Sequence, residues 1–259
     1  MTGPITATAA QQRVTSAIAK ASARTGVGFD YLMDQAQLES GMRPDARAQT
    51  SSATGLYQFT NQTWLATVKR HGASHGLDWA SSAITQNRNG AFTVAAPDMR
   101  AQILGLRTNP ETAAVMAAEL ASDNSDYLQS RIGGSLQDVD LYLAHFLGAK
   151  GAGDFLAAMQ ADPHQAAAPL FPSAAAANRS IFYRPDGVQR SLIEIRDGFS
   201  AKMAAAPSVG KMSQSIQQHY ATNTVRRAPL VMAEMEKMPK GLDLDFARRT
   251  YQRLSAVTT

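Results

Sequence analysis

Residues 37–41 read Gln37-Leu38-Glu39-Ser40-Gly41, and the segment that leads into them from Asp30 decides how the chain is read. Leu32, Ala36 and Glu39 fall at i, i+4 and i+7, which is one face of an α-helix. Asp30 is suited to cap the start of that helix and Gly41 to turn its end. A carboxylate on the apolar stripe of its own helix costs free energy unless it has a partner or a task. One task fits. An acid held partly in apolar surroundings keeps its proton near neutral pH and can hand it to a leaving-group oxygen. The same spacing also fits a helix-terminal Glu that swings out to water.

Outward from this helix the chain is punctuated as a series of helices. Residues ~7–24 carry Val14 and Ile18 on one side and end before Gly26. After Gly41, Pro44, small residues and Gly55 mark residues 42–58 as irregular, with room for a short hairpin. Thr60 caps a helix with Trp64, Leu65 and Val68 that stops at Gly72, and the polar residues 73–96 read as a loop or lid. A helix follows over ~98–107. Asn109-Pro110 then gives a cap followed by proline at the first helical position. Ser135 opens a helix with the stripe Val139, Leu143 and Phe146, closed by Gly148. Phe155, Leu156 and Met159 mark another, and a last one lies near 187–203. The expected fold is therefore all-α: an N-terminal helix in residues 1–24, a catalytic domain over 25–205, and a helical tail from 206 to 259 behind the linker-like Ala204–Gly210.

Composition limits the chemistry. The chain has 259 residues and no cysteine, so disulfides, thiolate metal sites and cysteine nucleophiles are excluded. No apolar run approaches the ~20 residues of a membrane-spanning helix. The first residues lack a basic region and a continuous apolar run, so no secretory signal peptide is expected. The net charge of +4 sits in residues 211–259, which hold eight Lys or Arg against four Asp or Glu. Such a tail serves either as a solvated face or as a dock for an acidic or anionic partner. His71 and His75 are four apart, but Gly72 intervenes and no carboxylate is suitably spaced, so no metal is expected. No phosphate loop, dinucleotide fingerprint or nucleophile elbow is present, so no cofactor is expected either. The tail lacks the interleaved aromatics of a nucleic-acid surface.

The acid map around Glu39 is informative. After Asp45 there is no Asp or Glu until Asp78. Glycosidases that work through two carboxylates need the second at roughly 5–9.5 Å. A single acid suffices when the substrate supplies its own nucleophile, since a hydroxyl already in place lowers the entropic barrier.

Taken with Gly55-Leu56-Tyr57-Gln58, Glu39-Ser40-Gly41 resembles the soluble lytic transglycosylase domain of lysozyme-like fold. The likeness runs on through Tyr142-Leu143-Ala144-His145-Phe146-Leu147-Gly148 and Gly151-Ala152-Gly153-Asp154-Phe155-Leu156. It extends to Phe171-Pro172 and to Asn178-Arg179-Ser180-Ile181-Phe182-Tyr183, covering roughly residues 25–185. That family cleaves the MurNAc–GlcNAc bond of peptidoglycan and leaves 1,6-anhydro-muramic ends. The resemblance implies that Glu39 is the sole acid/base, that Ser40 helps place sugar and carboxylate, and that Gln58 lines the glycan groove. Tyr57 stands where methionine is usual. The familiar Ala-Tyr-Asn-x-Gly segment appears as Ala144-His145-Phe146-Leu147-Gly148, without the tyrosine hydroxyl and the asparagine amide. His145 is then either a groove hydrogen-bonder or an ordinary helix histidine. The resemblance implies that Tyr57 and Phe146 line the groove as well, and Tyr142 faces the groove or packs beside Phe146.

The resemblance implies glycan strands as partner and the periplasm as site of action, reached by a specialised export route such as the flagellar one. Wall opening for a trans-envelope structure would be the role, with a protein partner for 211–259. Release from the cytoplasm by lysis is the alternative. Two other activities stay open: a muramidase using water, with Asp45 as the second acid, and a non-catalytic wall-binding or assembly protein on the same scaffold.

Overall fold

The computed structural model describes residues 9–49 and 51–205. The expected tail, 206–259, and the first eight residues lie outside the described residues. The mainly-α expectation holds: the described residues form helices with one two-stranded sheet. No helix among them is long and apolar enough to cross a membrane.

The described chain divides into two compact units, residues 9–48 with 52–119, and residues 120–205 with 49 and 51. In the first, α1 (Ala9–Thr25) buries Val14, Ala17, Ile18 and Ala21 and packs on α2 (Phe29–Ser40), which buries Tyr31, Leu32 and Ala36. The start of α2 differs from expectation. Gly28 precedes its first residue and Asp30 lies inside the first turn, where its charge complements the exposed N–H groups instead of capping them.

Thr60 does cap α3 (Asn61–His71), its hydroxyl accepting from Thr63 N at 3.2 Å. Helix α3 is the centre of this unit. The 3-10 turn Gly72–His75, α4 (Asp78–Ala83), α5 (Pro97–Gly105) and both strands pack on it. Trp64 of α3 is fully buried, edge-on to Phe59, and its indole donates to Ile103 O at 2.7 Å. The expected loop over 73–96 is instead α4 followed by a hairpin, β1 (Ile84–Gln86) and β2 (Phe92–Val94), antiparallel with Ile84 opposite Val94. Gln62 of α3 closes the edge of β2: its amide nitrogen donates to Phe92 O at 3.0 Å and its oxygen accepts from Phe92 N at 2.9 Å.

Helix α6 (Pro110–Ile132) begins as expected, with Asn109 Oδ1 accepting from Glu111 N and Thr112 N at 3.0 Å each. Its first half belongs to the first unit and its second half to the other.

The second unit is built on α7 (Asp138–Ala161), which is two helices joined at Gly148, where φ is 76° and ψ 159°. That conformation is open only to glycine, and it explains why the sequence shows two helices divided there. Helix α7 starts three residues after Ser135, with Gln137 as the cap and Asp140 Oδ2 accepting from Gln137 N at 2.9 Å. Short helices α8 (Ala167–Leu170), α9 (Pro172–Ala177) and α10 (Arg179–Phe182) follow. Helix α11 (Leu192–Ala205) then lies along α7. Arg196 of α11 fastens the start of α7, donating to Asp140 at 2.9 Å and to Gln137 Oε1 at 2.8 Å.

Candidate functional site

Glu39, Ser40, Tyr57 and Gln58 belong to the first unit, and Tyr142, His145 and Phe146 to the second. Glu39 is only 2 % exposed, on the same face of α2 as the fully buried Leu32 and Ala36. It does not swing out into water, so the more ordinary of its two readings is excluded.

The chain leaves α2 through an unusual end. Gly41 (φ 61°) and Met42 (φ 64°) are both left-handed. Gly41 N donates to Gln37 O at 2.9 Å and Met42 N to Ala36 O at 3.3 Å, which satisfies the last carbonyls of the helix. Ser40 is tied twice: its hydroxyl donates to Ala36 O at 3.1 Å and accepts from Arg43 N at 3.1 Å. Arg43 Nε adds a bond to Ser40 O at 3.0 Å. The hydroxyl beside Glu39 thus organises the turn, a positional role that the resemblance did not specify.

Residues 42–60 form a knot of short pairings in place of a regular hairpin. Arg47 bridges Thr54, Thr54 bridges Phe59, and Gly55 N donates to Ala46 O at 2.7 Å. Tyr57 is fully buried and its hydroxyl donates to Leu32 O at 3.2 Å, binding the knot to the helix that carries Glu39. Burial, and then the nearby Tyr31, push the Tyr57 phenol well above its ordinary range, so it remains a neutral donor. Gln58 has φ 49°, and its Nε2 donates to Gly55 O at 2.8 Å and Ala46 O at 3.2 Å. With both amide protons engaged, the group Gln58 can still offer a ligand is its carbonyl oxygen.

Met42 and Gln58 are the two non-glycine residues with positive φ among the described residues. Each costs of order 1–3 kcal/mol, and such costs persist where surrounding structure over-determines the backbone, as functional sites often do. Both belong to the segment that follows Glu39.

Arg107 supplies much of that determination, although no local motif marks it out. Its buried guanidinium donates from Nη1 to Ser52 O at 2.7 Å and Phe59 O at 3.0 Å, and from Nε to Leu104 O at 2.9 Å. Burial first, then Arg47 and Arg100, lower its pKa to about 10. Gly55 (φ 86°) lies against the backbone of Arg107 so closely that a Cβ would stand 2.0 Å from Arg107 O.

In the second unit Tyr142 and Phe146 are buried, their rings 5.5 and 5.0 Å from that of Phe199. Of the two readings of Tyr142, packing is the one this geometry supports. Phe146, expected among the groove residues, is a core residue fixing α11 on α7. His145 is half-buried, with its ring 5.9 Å from that of Tyr142.

A second polar cluster was missed. Glu119 of α6, 1 % exposed at its side chain, faces both histidines: Oε1 is 2.6 Å from His75 Nε2 and Oε2 is 3.4 Å from His71 Nδ1. The carboxylate that local spacing lacks arrives from a helix 44 residues away. Its oxygens meet the imidazole nitrogens directly, which gives a buried carboxyl group polar partners. No protein-family model matches the chain.

Proposed function

We propose that the chain is a peptidoglycan lytic transglycosylase in which Glu39 works as the single acid/base. The observation that carries the reading is the burial of Glu39 on the apolar face of α2, beside a loop of over-determined geometry and ahead of a segment, 46–77, that contains no acid.

In the reaction the Glu39 carboxyl donates its proton to the oxygen linking MurNAc C1 to GlcNAc C4. The C1–O bond breaks and the GlcNAc side leaves as an alcohol. The Glu39 carboxylate then takes the proton of the MurNAc C6 hydroxyl, and O6 bonds to C1. The product is the 1,6-anhydro sugar, no water is consumed, and Glu39 ends as it began. The nucleophile belongs to the same sugar ring, so its attack carries little entropic cost. Gln58 Oε1 is suited to accept a sugar hydroxyl, and the buried Tyr57 and Ser40 hold the backbone that presents it.

Digestion of purified sacculi followed by mass spectrometry of the released muropeptides tests the reading. Anhydro ends support it. Reducing ends would replace it with a muramidase, and Asp45, exposed on the loop after Glu39, becomes the second acid to replace. A wall-binding protein without activity is the second reading, favoured by the burial of Phe146 in place of a groove amide; it predicts retention on sacculi with no release. We place the action in the periplasm, at sites of trans-envelope assembly, with residues 211–259 as the partner dock. Removing 211–259 should then spare digestion of isolated wall and abolish localisation.

A further inference from the structure

The hairpin of β1 and β2 turns through Asn87-Arg88-Asn89-Gly90, and its two asparagines are held differently. Asn87 is the anchor. Its Oδ1 accepts from Asn89 N at 3.0 Å and from Ala91 N at 2.9 Å, and its own N donates to Ala91 O at 2.9 Å. Asn89 is exposed, and its side-chain amide makes no hydrogen bond among the described residues. Gly90 follows at φ 81°, with its N donating to Asn87 O at 3.0 Å and its O accepting from Gln86 Nε2 at 3.0 Å.

A free asparagine amide beside an unhindered backbone nitrogen is a reactive pair. The nitrogen of the next residue can close on the side-chain carbonyl carbon, and a glycine, having no Cβ, shields its nitrogen least. Asn89 is the single asparagine of the sequence followed by glycine. The other asparagines are protected. Asn109 precedes Pro110, which has no N–H to lose. Asn124 and Asn178 are buried. Asn61 and Asn87 precede Gln62 and Arg88, whose side chains crowd the nitrogen. At Asn89 one hydrogen bond, Gly90 N to Asn87 O, stands between the nitrogen and the amide.

We propose that Asn89 is a modification site, at which the chain deamidates itself at a rate set by opening of the hairpin turn. Once the turn opens, Gly90 N loses its proton to solvent base and bonds to Asn89 Cγ. The bond from Cγ to the side-chain nitrogen breaks, and that nitrogen takes up a proton and leaves as ammonia. A succinimide remains, and water opens it. Breaking its bond from Cγ to Gly90 N gives aspartate; breaking the bond from the main-chain carbon to Gly90 N gives isoaspartate, whose chain runs through Cγ. Arg88 is the one charged residue in 84–94, so either product cancels the charge of the hairpin. Isoaspartate also lengthens the backbone inside the turn and puts the bonds of Gly90 to Gln86 and Asn87 out of register. The inference is independent of the peptidoglycan reading.

The test ages the full chain at mildly alkaline pH and follows it by ion exchange and by mass spectrometry of its peptides. Asn89 should convert before any other asparagine, with isoaspartate in excess over aspartate, and the chain should gain a more acidic form. Asn89→Gln should lack that form. Asn87→Ala removes both side-chain anchors of the turn and should speed conversion about tenfold, toward the rate of the wild type unfolded in guanidinium. Another asparagine converting ahead of Asn89 would overturn the site. An unchanged rate in Asn87→Ala would overturn control by the turn. If that variant does not fold, equal rates for the folded and the guanidinium-unfolded wild type would overturn it instead, and a slower folded chain upholds it.

Discussion

Replacing Gly55 with alanine probes the loop after Glu39 at its tightest point. Two costs follow. At φ 86° the residue is left-handed, and a side chain there costs about 1–2 kcal/mol. The new Cβ would also stand 2.0 Å from Arg107 O and 2.8 Å from Arg107 C. Those are backbone atoms, so no rotamer change relieves the overlap, and loop and helix end must separate by about 1 Å. Separation stretches the Gly55 N to Ala46 O bond of 2.7 Å and the Arg107 bonds to Ser52 O and Phe59 O. Losing one of these charge-assisted bonds adds about 1.5–3 kcal/mol. The expected total is about 4 kcal/mol, a large share of the ~5–15 kcal/mol typical of a domain. Urea unfolding followed by circular dichroism measures it, with hydrogen exchange at Ala46 to Phe59 to locate the loosening. A loss below about 1 kcal/mol, with unchanged exchange, would refute the reasoning, because the backbone conformation alone demands that much.

Other perturbations have defined outcomes. Arg107→Ala leaves three carbonyls without their cation and should cost about 3–5 kcal/mol; Arg107→Lys, which lacks the planar fork, should recover only a minor part in the same unfolding assay. Glu119→Ala removes the carboxylate between two buried imidazoles and should cost about 3 kcal/mol, read as a lowered urea midpoint. Glu194 accepts from Ser191 N and pairs with Arg184, and these hold its pKa at about 2 against an ordinary 4.5. Its folded pKa is depressed, so its contribution is fully present above 4.5 and lost as pH falls through about 2. The stability gap between wild type and Glu194→Gln should therefore close over that window. A gap independent of pH would contradict the assignment. Gly148→Ala should destabilise the second unit by at least about 1–3 kcal/mol, since φ 76°, ψ 159° excludes a side chain.

Helix ends with a local chemical cause were legible in the sequence. Thr60 and Asn109 cap where expected because the bonds they form span two or three residues. Gly72 ends α3 where expected, straight after His71, but not by a left-handed turn. It has φ −54°, and its missing side chain serves contact: a Cβ would press on Val68 and Leu77 at 3.2 and 3.3 Å. The left-handed stop falls later, at Gly76. The hairpin at 84–94 read as loop because only Ile84 and Val94 of its strands are buried, which leaves almost no alternation to detect. At the candidate site, the phase of Glu39 on α2 could be read from spacing alone. Arg107 and Glu119 could not, since their partners lie 48 or 55 and 44 residues away. The packing of Phe146 on Phe199 could not be read either, because the two rings lie on helices far apart in the chain and their spacing carries no local signal.

The central claim concerns how the glycosidic bond is broken, and product chemistry tests it most directly. Sacculi digested with the wild type should release muropeptides ending in 1,6-anhydro-MurNAc, each lighter by one water than its hydrolytic counterpart. Glu39→Gln should retain the wild-type circular dichroism and unfolding midpoint and release none. Reducing ends from the wild type, or undiminished release by a folded Glu39→Gln variant, would contradict the assignment of a solitary acid at Glu39.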